Sequence, residues 1–190
     1  VNCLQAANDK KVSSPDGRNT IVFSLDAGGT PTYQLLRDGK MLISPSVLGF
    51  IEKNNINLAN EFKLRKTSFH TKDEHWTQPW GENKSMREHY NELAVHLKNS
   101  KVNLTIRFRA FNDGVGFRYE YDVPSVDSLF VMDELTTFNI AEDGVSWSIP
   151  ANFDTYEILY SEKPVSAIKD ANTPMTFKTN SGVYGSIHEA

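Results

Sequence analysis

Hydrophobic residues alternate with polar ones along much of this chain, with the two-residue period of half-buried β-strands. Between Thr20 and Asp26, for example, Ile21, Phe23 and Leu25 fall on one face of an extended chain. The same pattern recurs and predicts strands at residues 20–26, 33–37, 41–43, 93–98, 104–110, 115–121, 145–149, 175–179 and 183–188.

Short turn sequences separate these segments. They fall at residues 38–39, 112–114, 143–144 and 180–182, and each combines Asp or Asn with Gly, as tight hairpin turns require. The best helical candidate, Glu157 to Ala171, contains Pro164 and has no clear apolar stripe. Many strands, regular turns and no crossover helices predict an all-β fold, an antiparallel β-sandwich.

Composition narrows the class of protein. The chain has 190 residues, of which 39% are hydrophobic, so it can bury the core of one substantial domain. Twenty Lys and Arg residues stand against 24 Asp and Glu residues, and the net charge of −4 argues against a nucleic-acid partner. No apolar run approaches the roughly 18 residues of a membrane-spanning helix. The single cysteine, Cys3, excludes an internal disulfide and multi-cysteine metal sites.

The two ends of the chain carry signals of their own. Residues 1–7 are typical either of the end of a secretory signal, cleaved after Ala6, or of a frayed N-terminus. Lipid attachment at Cys3 is a further option, which Asn2 disfavours. We predict that residues 1–11 are a signal remnant or a disordered N-terminus and that 12–190 form the domain. The sequence stops inside the last predicted strand, which indicates a chain cut from a longer protein.

The sequence contains none of the compact motifs that hold phosphates or build common catalytic centres. GxxxxGK[ST], GxGxxG, GxSxG and HExxH are all absent. The sequence alone therefore predicts no complete catalytic constellation.

Several charged and aromatic residues are better explained by structure than by chemistry. We expect cross-strand ion pairs within residues 104–121, two surface histidines and two core aromatics. The ion pairs are expected among Arg107, Arg109, Arg118 and Glu120. The surface histidines are His70 and His75, and the core aromatics are Trp147 and Phe153.

Residues 76–93 concentrate aromatic and charged side chains in a segment whose Pro and Gly predict a loop. Trp76 and Trp80 could stack on the faces of sugar rings while acidic and basic neighbours grip hydroxyls. Alternatively, the tryptophans cap the sandwich core and Arg87 pairs with Glu82 or Glu88. The sequence favours this second interpretation because buried aromatics are the commoner use.

Glu189, near the end of the chain, is a candidate ligand for a hard cation. Calcium takes about six to eight oxygen ligands, so one carboxylate cannot make the site alone. The ordinary alternative is a solvated residue at the end of a strand.

Taken together, several motifs resemble glycoside hydrolase family 97, and they occur in the family's order from about Val12 to the last residue. They are SPDG at 14–17, TY at 32–33, PSVLG at 45–49, PWGE at 79–82, HYNEL at 89–93, FRAFNDGVGFRYE at 108–120 and IHEA at 187–190.

The resemblance implies an exported bacterial α-glycosidase acting on α-glucosides or α-galactosides. It implies an N-terminal β-super-sandwich, like that of galactose mutarotase, followed by a catalytic (β/α)8 barrel that this sequence lacks. It also implies an active-site calcium ion bound mostly by barrel glutamates, with one ligand from the N-terminal domain at Glu189. The expected partners are that barrel and an α-linked oligosaccharide, with no catalytic residue in this chain.

Two other functions stay open from the residues themselves. The chain could be a free-standing carbohydrate-binding module with Trp76 and Trp80 as its platform. A mutarotase-like epimerase is suggested by fold analogy alone, and it would need a His and Glu pair facing one cavity.

Overall fold

The computed structural model describes residues 9–152 and 154–189. Within them the regular structure is strand, apart from one 3-10 turn at Val165–Ala167, and every strand pair is antiparallel. The predicted all-β, antiparallel fold is confirmed. The chain forms two compact units that divide between Asn139 and Ile140.

The first unit contains ten strands in the described chain. They are β1 (Lys10–Ser13), β2 (Asn19–Leu25), β3 (Pro31–Arg37), β4 (Lys40–Val47), β5 (Phe50–Glu52), β6 (Lys63–Thr77), β7 (Ser85–Lys98), β8 (Asn103–Phe111), β9 (Val115–Asp122) and β10 (Val131–Glu134). They form two four-stranded sheets, β1-β2-β3-β4 and β6-β7-β8-β9, and a small sheet of β10 and β5.

The two four-stranded sheets pack face to face as a sandwich. Strict alternation in β8 sends Leu104, Ile106, Phe108 and Ala110 into the core, where each is at most 1% exposed. The ring centroid of Phe108 lies 5.9 Å from that of Phe23 on β2. Residues of period two therefore build this core, as the sequence pattern predicts.

Hairpin turns set the register of the first sheet. Asp38 and Gly39 between β3 and β4 both have positive φ, 51° and 75°, the geometry of a tight two-residue turn. The Arg18 guanidinium donates two hydrogen bonds to the Asp38 carboxylate, at 2.8 and 2.9 Å. The turn predicted at residues 38–39 is thus present.

The second unit has one four-stranded sheet in the described chain, in the order β12-β11-β13-β14. The strands are β11 (Gly144–Ser148), β12 (Ser161–Pro164), β13 (Met175–Thr179) and β14 (Tyr184–Ile187). Gly144 must be glycine, because a Cβ there would lie 2.0 Å from the carbonyl oxygen of Lys178.

Two predictions for the second unit are wrong. Asp143 and Gly144 do not close a hairpin: the Asp143 carboxylate accepts hydrogen bonds from the backbone and hydroxyl of Ser166, and Gly144 begins β11. Trp147 is only half-buried, because its strand turns Ser146 and Ser148 to the covered face. Its indole N–H donates to Glu162 at 3.1 Å.

Some predictions cannot be compared with the structure. Cys3, the residues proposed as a signal and Phe153 lie outside the described ranges. The division at residues 11 and 12 remains a prediction, although Lys10 and Lys11 belong to β1.

Candidate functional site

Glu189 lies two residues beyond the end of β14, in the second unit. Both Glu189 and His188 are exposed, and within the described chain no hydrogen bond or ion pair engages the Glu189 carboxylate. Its oxygens are thus accessible to a ligand from outside this unit.

The rest of the described chain offers no cluster for a metal ion. Residues 9–152 and 154–189 contain no group of three or more His, Asp or Glu side chains with metal-binding geometry. Any cation held at Glu189 would therefore need most of its ligands from elsewhere.

Residues 76–93 form mostly strand, which corrects the expected loop. Trp76 belongs to β6 and residues 85–93 to β7, so only residues 78–84 connect the two strands. Pro79 and Gly81 account for that connection but do not interrupt the strands on either side.

The tryptophans do not cap the core, contrary to the interpretation favoured from sequence. Trp80 is 84% exposed and Trp76 is 48% exposed. Arg87 donates two hydrogen bonds to Asp73 across the hairpin, at 2.7 and 2.8 Å, rather than pairing with Glu82 or Glu88. The indole rings are therefore available for contact with another molecule or domain.

The outer face of β6–β9 carries a charged network that sequence reasoning only half predicted. The Arg107 guanidinium donates to Glu120 at 2.7 Å, and Arg118 donates to the same carboxylate at 2.7 Å, so the expected ion pairs are confirmed. At the centre lies Glu92, only 6% exposed, which accepts hydrogen bonds from Arg107 at 3.0 Å and Arg109 at 2.8 Å.

Glu92 could have been found from the strand pattern. Glu92 on β7 lies directly opposite Arg109 on β8, and alternation along the two strands places both side chains on the face away from the core. Its role here is structural, since both of its oxygens are engaged by arginines. The two histidines expected at the surface, His70 and His75, are both exposed.

This network makes the domain sensitive to acid. Burial opposes ionisation of Glu92, but Arg109 and Arg107 outweigh it and hold the pKa of Glu92 below its ordinary value. Arg107, with Arg118, likewise lowers the pKa of Glu120. A carboxyl whose folded pKa is depressed stabilises the fold above its unfolded pKa and loses that contribution as pH falls through the folded pKa.

We therefore expect the free energy of unfolding to fall below about pH 5, where unfolded carboxyls begin to bind protons. Urea titrations at a series of pH values measure it. The double variant Glu92→Gln/Glu120→Gln should be less stable at neutral pH and show a shallower acid slope. If the free energy of unfolding of the double variant fell with acid as steeply as that of the wild type, the network would not be the cause of the acid sensitivity.

Comparison with known proteins identifies the family. Residues 12–190 match the family described as Glycosyl-hydrolase 97 N-terminal. The chain belongs to glycoside hydrolase family 97. A curated relative, the retaining alpha-galactosidase of Bacteroides thetaiotaomicron, is 29% identical over 116 residues, which cover 61% of this chain and 17% of the relative.

Solved family 97 structures show the same fold. An enzyme from Pseudoalteromonas sp. strain K8, solved with acarbose and as a variant with panose, is 35% identical, with TM-scores of 0.87 and 0.86. A β-arabinopyranosidase at 22% identity and a TM-score of 0.83 shares the fold. The match covers 95% of this chain but only 28% of the Pseudoalteromonas enzyme, so the chain spans less than a third of that relative.

Within the described ranges, no helix has the length and apolar character needed to cross a bilayer. The relatives named here come from the bacteria Bacteroides thetaiotaomicron and Pseudoalteromonas sp. strain K8.

Proposed function

We propose that this chain is the non-catalytic N-terminal domain of an exported bacterial α-glycosidase and packs on the catalytic barrel of the same polypeptide. The observation that carries the proposal is the extent of the match. Residues 12–190 correspond to the N-terminal part of the family, while the chain spans 28% of a solved family enzyme. The catalytic carboxylates of the parent then lie outside this sequence.

Within that enzyme, Glu189 contributes one calcium ligand. This assignment is supported by the exposure of the Glu189 carboxylate, which makes no hydrogen bond or ion pair within the described chain. Carboxylate oxygens are hard donors of the kind that calcium prefers. When bound, calcium would orient the substrate and support water or leaving-group chemistry at the glycosidic bond. Glu189 itself would hold the ion and transfer no proton.

The substrates proposed for the parent are α-linked glucosides or galactosides. One relative is named a retaining alpha-galactosidase, and another was solved with panose and with acarbose. Export is proposed from residues 1–7, whose small residues near Ala6 are typical of a signal cleavage site.

We expect the isolated 190-residue chain to hydrolyse neither nitrophenyl α-glucoside nor nitrophenyl α-galactoside, because the proposal places the acid and the second carboxylate that glycoside hydrolysis needs in the barrel. Release of nitrophenol by purified chain is the measurement, with the full-length parent as positive control. Turnover that stays with the chain through purification would contradict the non-catalytic role.

The second candidate, a carbohydrate-binding module, is favoured by the exposure of Trp76 and Trp80 on the β6–β7 hairpin. Calorimetric titration with malto- and galacto-oligosaccharides separates the two functions. The proposed function expects no measurable affinity in the isolated chain, whereas a binding module would saturate and lose affinity on Trp80→Ala.

A further inference from the structure

The β6–β7 hairpin extends beyond the sheet that contains it. The two strands pair from Lys63 and Lys98 to Thr77 and Ser85, whereas β8 stops pairing with β7 at Tyr90. Residues 73–89 therefore form a two-stranded projection, which we call the arm.

The arm is held in a defined shape by its own contacts. Asp73 and Arg87 form a doubly hydrogen-bonded ion pair across it, and Lys72 at its base reaches Glu88 at 2.6 Å. At the base, the Asn91 side chain donates to the carbonyl of Ser13 on β1 at 2.8 Å. Isolated two-stranded ribbons are marginally stable, so these contacts give the arm a fixed geometry that it would otherwise lack.

The two faces of the arm differ in chemistry. Trp76 lies directly opposite Met86, and both are on the face away from the sandwich core, while Asp73, His75 and Arg87 make the other face polar. Trp80, in the connection at the end of the arm, is 84% exposed. We call Trp76 and Met86 on this face, together with Trp80 in the connection, the arm tip.

The charged side chains that share the strand face of Trp76 and Met86 are paired with one another. Lys72 binds both Glu88, at 2.6 Å, and Glu74, at 3.4 Å. A sugar platform needs free polar groups beside the ring to grip hydroxyls. Indole and thioether groups with paired charges around them instead resemble the apolar centre of a protein interface.

We infer that the arm tip docks on the part of the parent enzyme that lies outside this chain, and that Trp80 is buried there. The inference rests on the proposed function, because it needs the rest of that polypeptide. In the solved relative, this domain corresponds to only 28% of the chain, so most of the enzyme is available as a partner. The arm extends past the sheet that contains it, which leaves its exposed tryptophans free to contact such a partner.

Hydroxyl-radical footprinting tests the burial of Trp80 directly. Oxidation of Trp80 is measured by mass spectrometry in the isolated chain and in the full-length parent without substrate. If docking lowers the exposed fraction of the Trp80 side chain from 84% to about 10%, its oxidation should be roughly eightfold lower in the parent than in the isolated chain. Equal oxidation in both proteins would overturn the inference.

Other occupants give different results in the same experiment. Protection in the isolated chain that disappears on dilution would assign the arm tip to a second copy. Protection of the isolated chain only by added malto- or galacto-oligosaccharide would assign it to carbohydrate. Either result overturns docking on the rest of the enzyme.

A matched pair of variants gives a second readout. Trp76→Thr/Trp80→Ser should leave the thermal midpoint of the isolated chain unchanged but lower that of the full-length parent by roughly 3 °C or more. Phe69→Ala, on the same strand but the opposite face and 65% exposed, should lower neither midpoint comparably. Equal shifts for the double variant in both proteins would indicate a role within the hairpin and contradict docking.

Failure of this inference is distinguishable from failure of the proposed function. An inactive isolated chain with an unprotected Trp80 would remove the docking surface alone. A catalytically active isolated chain would remove the proposed function, whatever the oxidation of Trp80.

Discussion

Glu189→Gln in the full-length parent should lower calcium affinity, and activity at limiting calcium, by about 100-fold or more. The substitution keeps the size of the side chain but replaces a charged oxygen donor with a neutral one. Even residues that only support a metal ligand typically change affinity by about 10- to 100-fold, so a direct ligand should do at least as much. Calcium titration of the apo-enzyme, followed by activity, measures both quantities.

The control for this variant is Glu162→Gln in β12 of the same unit. Glu162 is also exposed, and its glutamine replacement can still accept the indole hydrogen bond of Trp147. We expect its calcium affinity to match the wild type. Excess calcium should restore part of the activity of Glu189→Gln, which a merely structural defect would not allow. An unchanged calcium affinity would remove Glu189 from the metal site.

Phe108→Ala should destabilise the first unit by about 3–5 kcal/mol, the usual cost of deleting a buried phenylalanine. Phe108 is fully buried, and its ring centroid lies 5.9 Å from that of Phe23 and 6.0 Å from that of Phe117. Removing the ring leaves a cavity between the two sheets that the strands cannot close without shifting register. Urea unfolding followed by circular dichroism measures the loss.

Phe69→Ala provides the matched comparison for the core variant. Phe69 is 65% exposed on the edge strand β6, so we expect its replacement to change the free energy of unfolding by less than about 0.5 kcal/mol. Similar losses for the two variants would mean that the sheets do not pack through Phe108.

The sequence pattern predicted the strands that bury one face. β8 alternates strictly and β9 does so over most of its length, because one side of each faces the core, and the turn between them contains Asn, Asp and Gly. In β2 the alternating Ile21 and Phe23 marked the strand, although Val22 and Ser24 on its other face are buried too. Their boundaries agree with the structure to within about two residues, as expected for frayed ends.

The pattern failed where a strand has no buried face. β6 runs for 15 residues, and most of its side chains are exposed, since it is an edge strand whose outer half projects as the arm. Edge strands carry charge to avoid pairing with other chains, so their sequences lack the apolar alternation that identifies a strand. β1, β5 and β10 are three or four residues long, too short to show a period.

The sequence predicted some features of the candidate site and missed others. The proposal for Glu189 depended on the resemblance of IHEA to the family motif, because residues 9–152 and 154–189 contain no metal-binding cluster that could point to it. The exposure of Trp76 and Trp80 was missed because composition favours buried tryptophan and does not report where a hairpin leaves its sheet.

The ion pairs on the outer face of β6–β9 have a consequence for biosynthesis. Glu92 and Glu120 meet their arginines inside one sheet, so this surface is compatible with water and needs no covering layer. Domains generally fold as units in the order in which the ribosome releases them. Because β1–β4, which cover the inner face of these strands, precede them in the chain, the sandwich can assemble once β9 has left the ribosome. Exposed apolar side chains such as Trp80 and Phe69 are then left for a chaperone to shield.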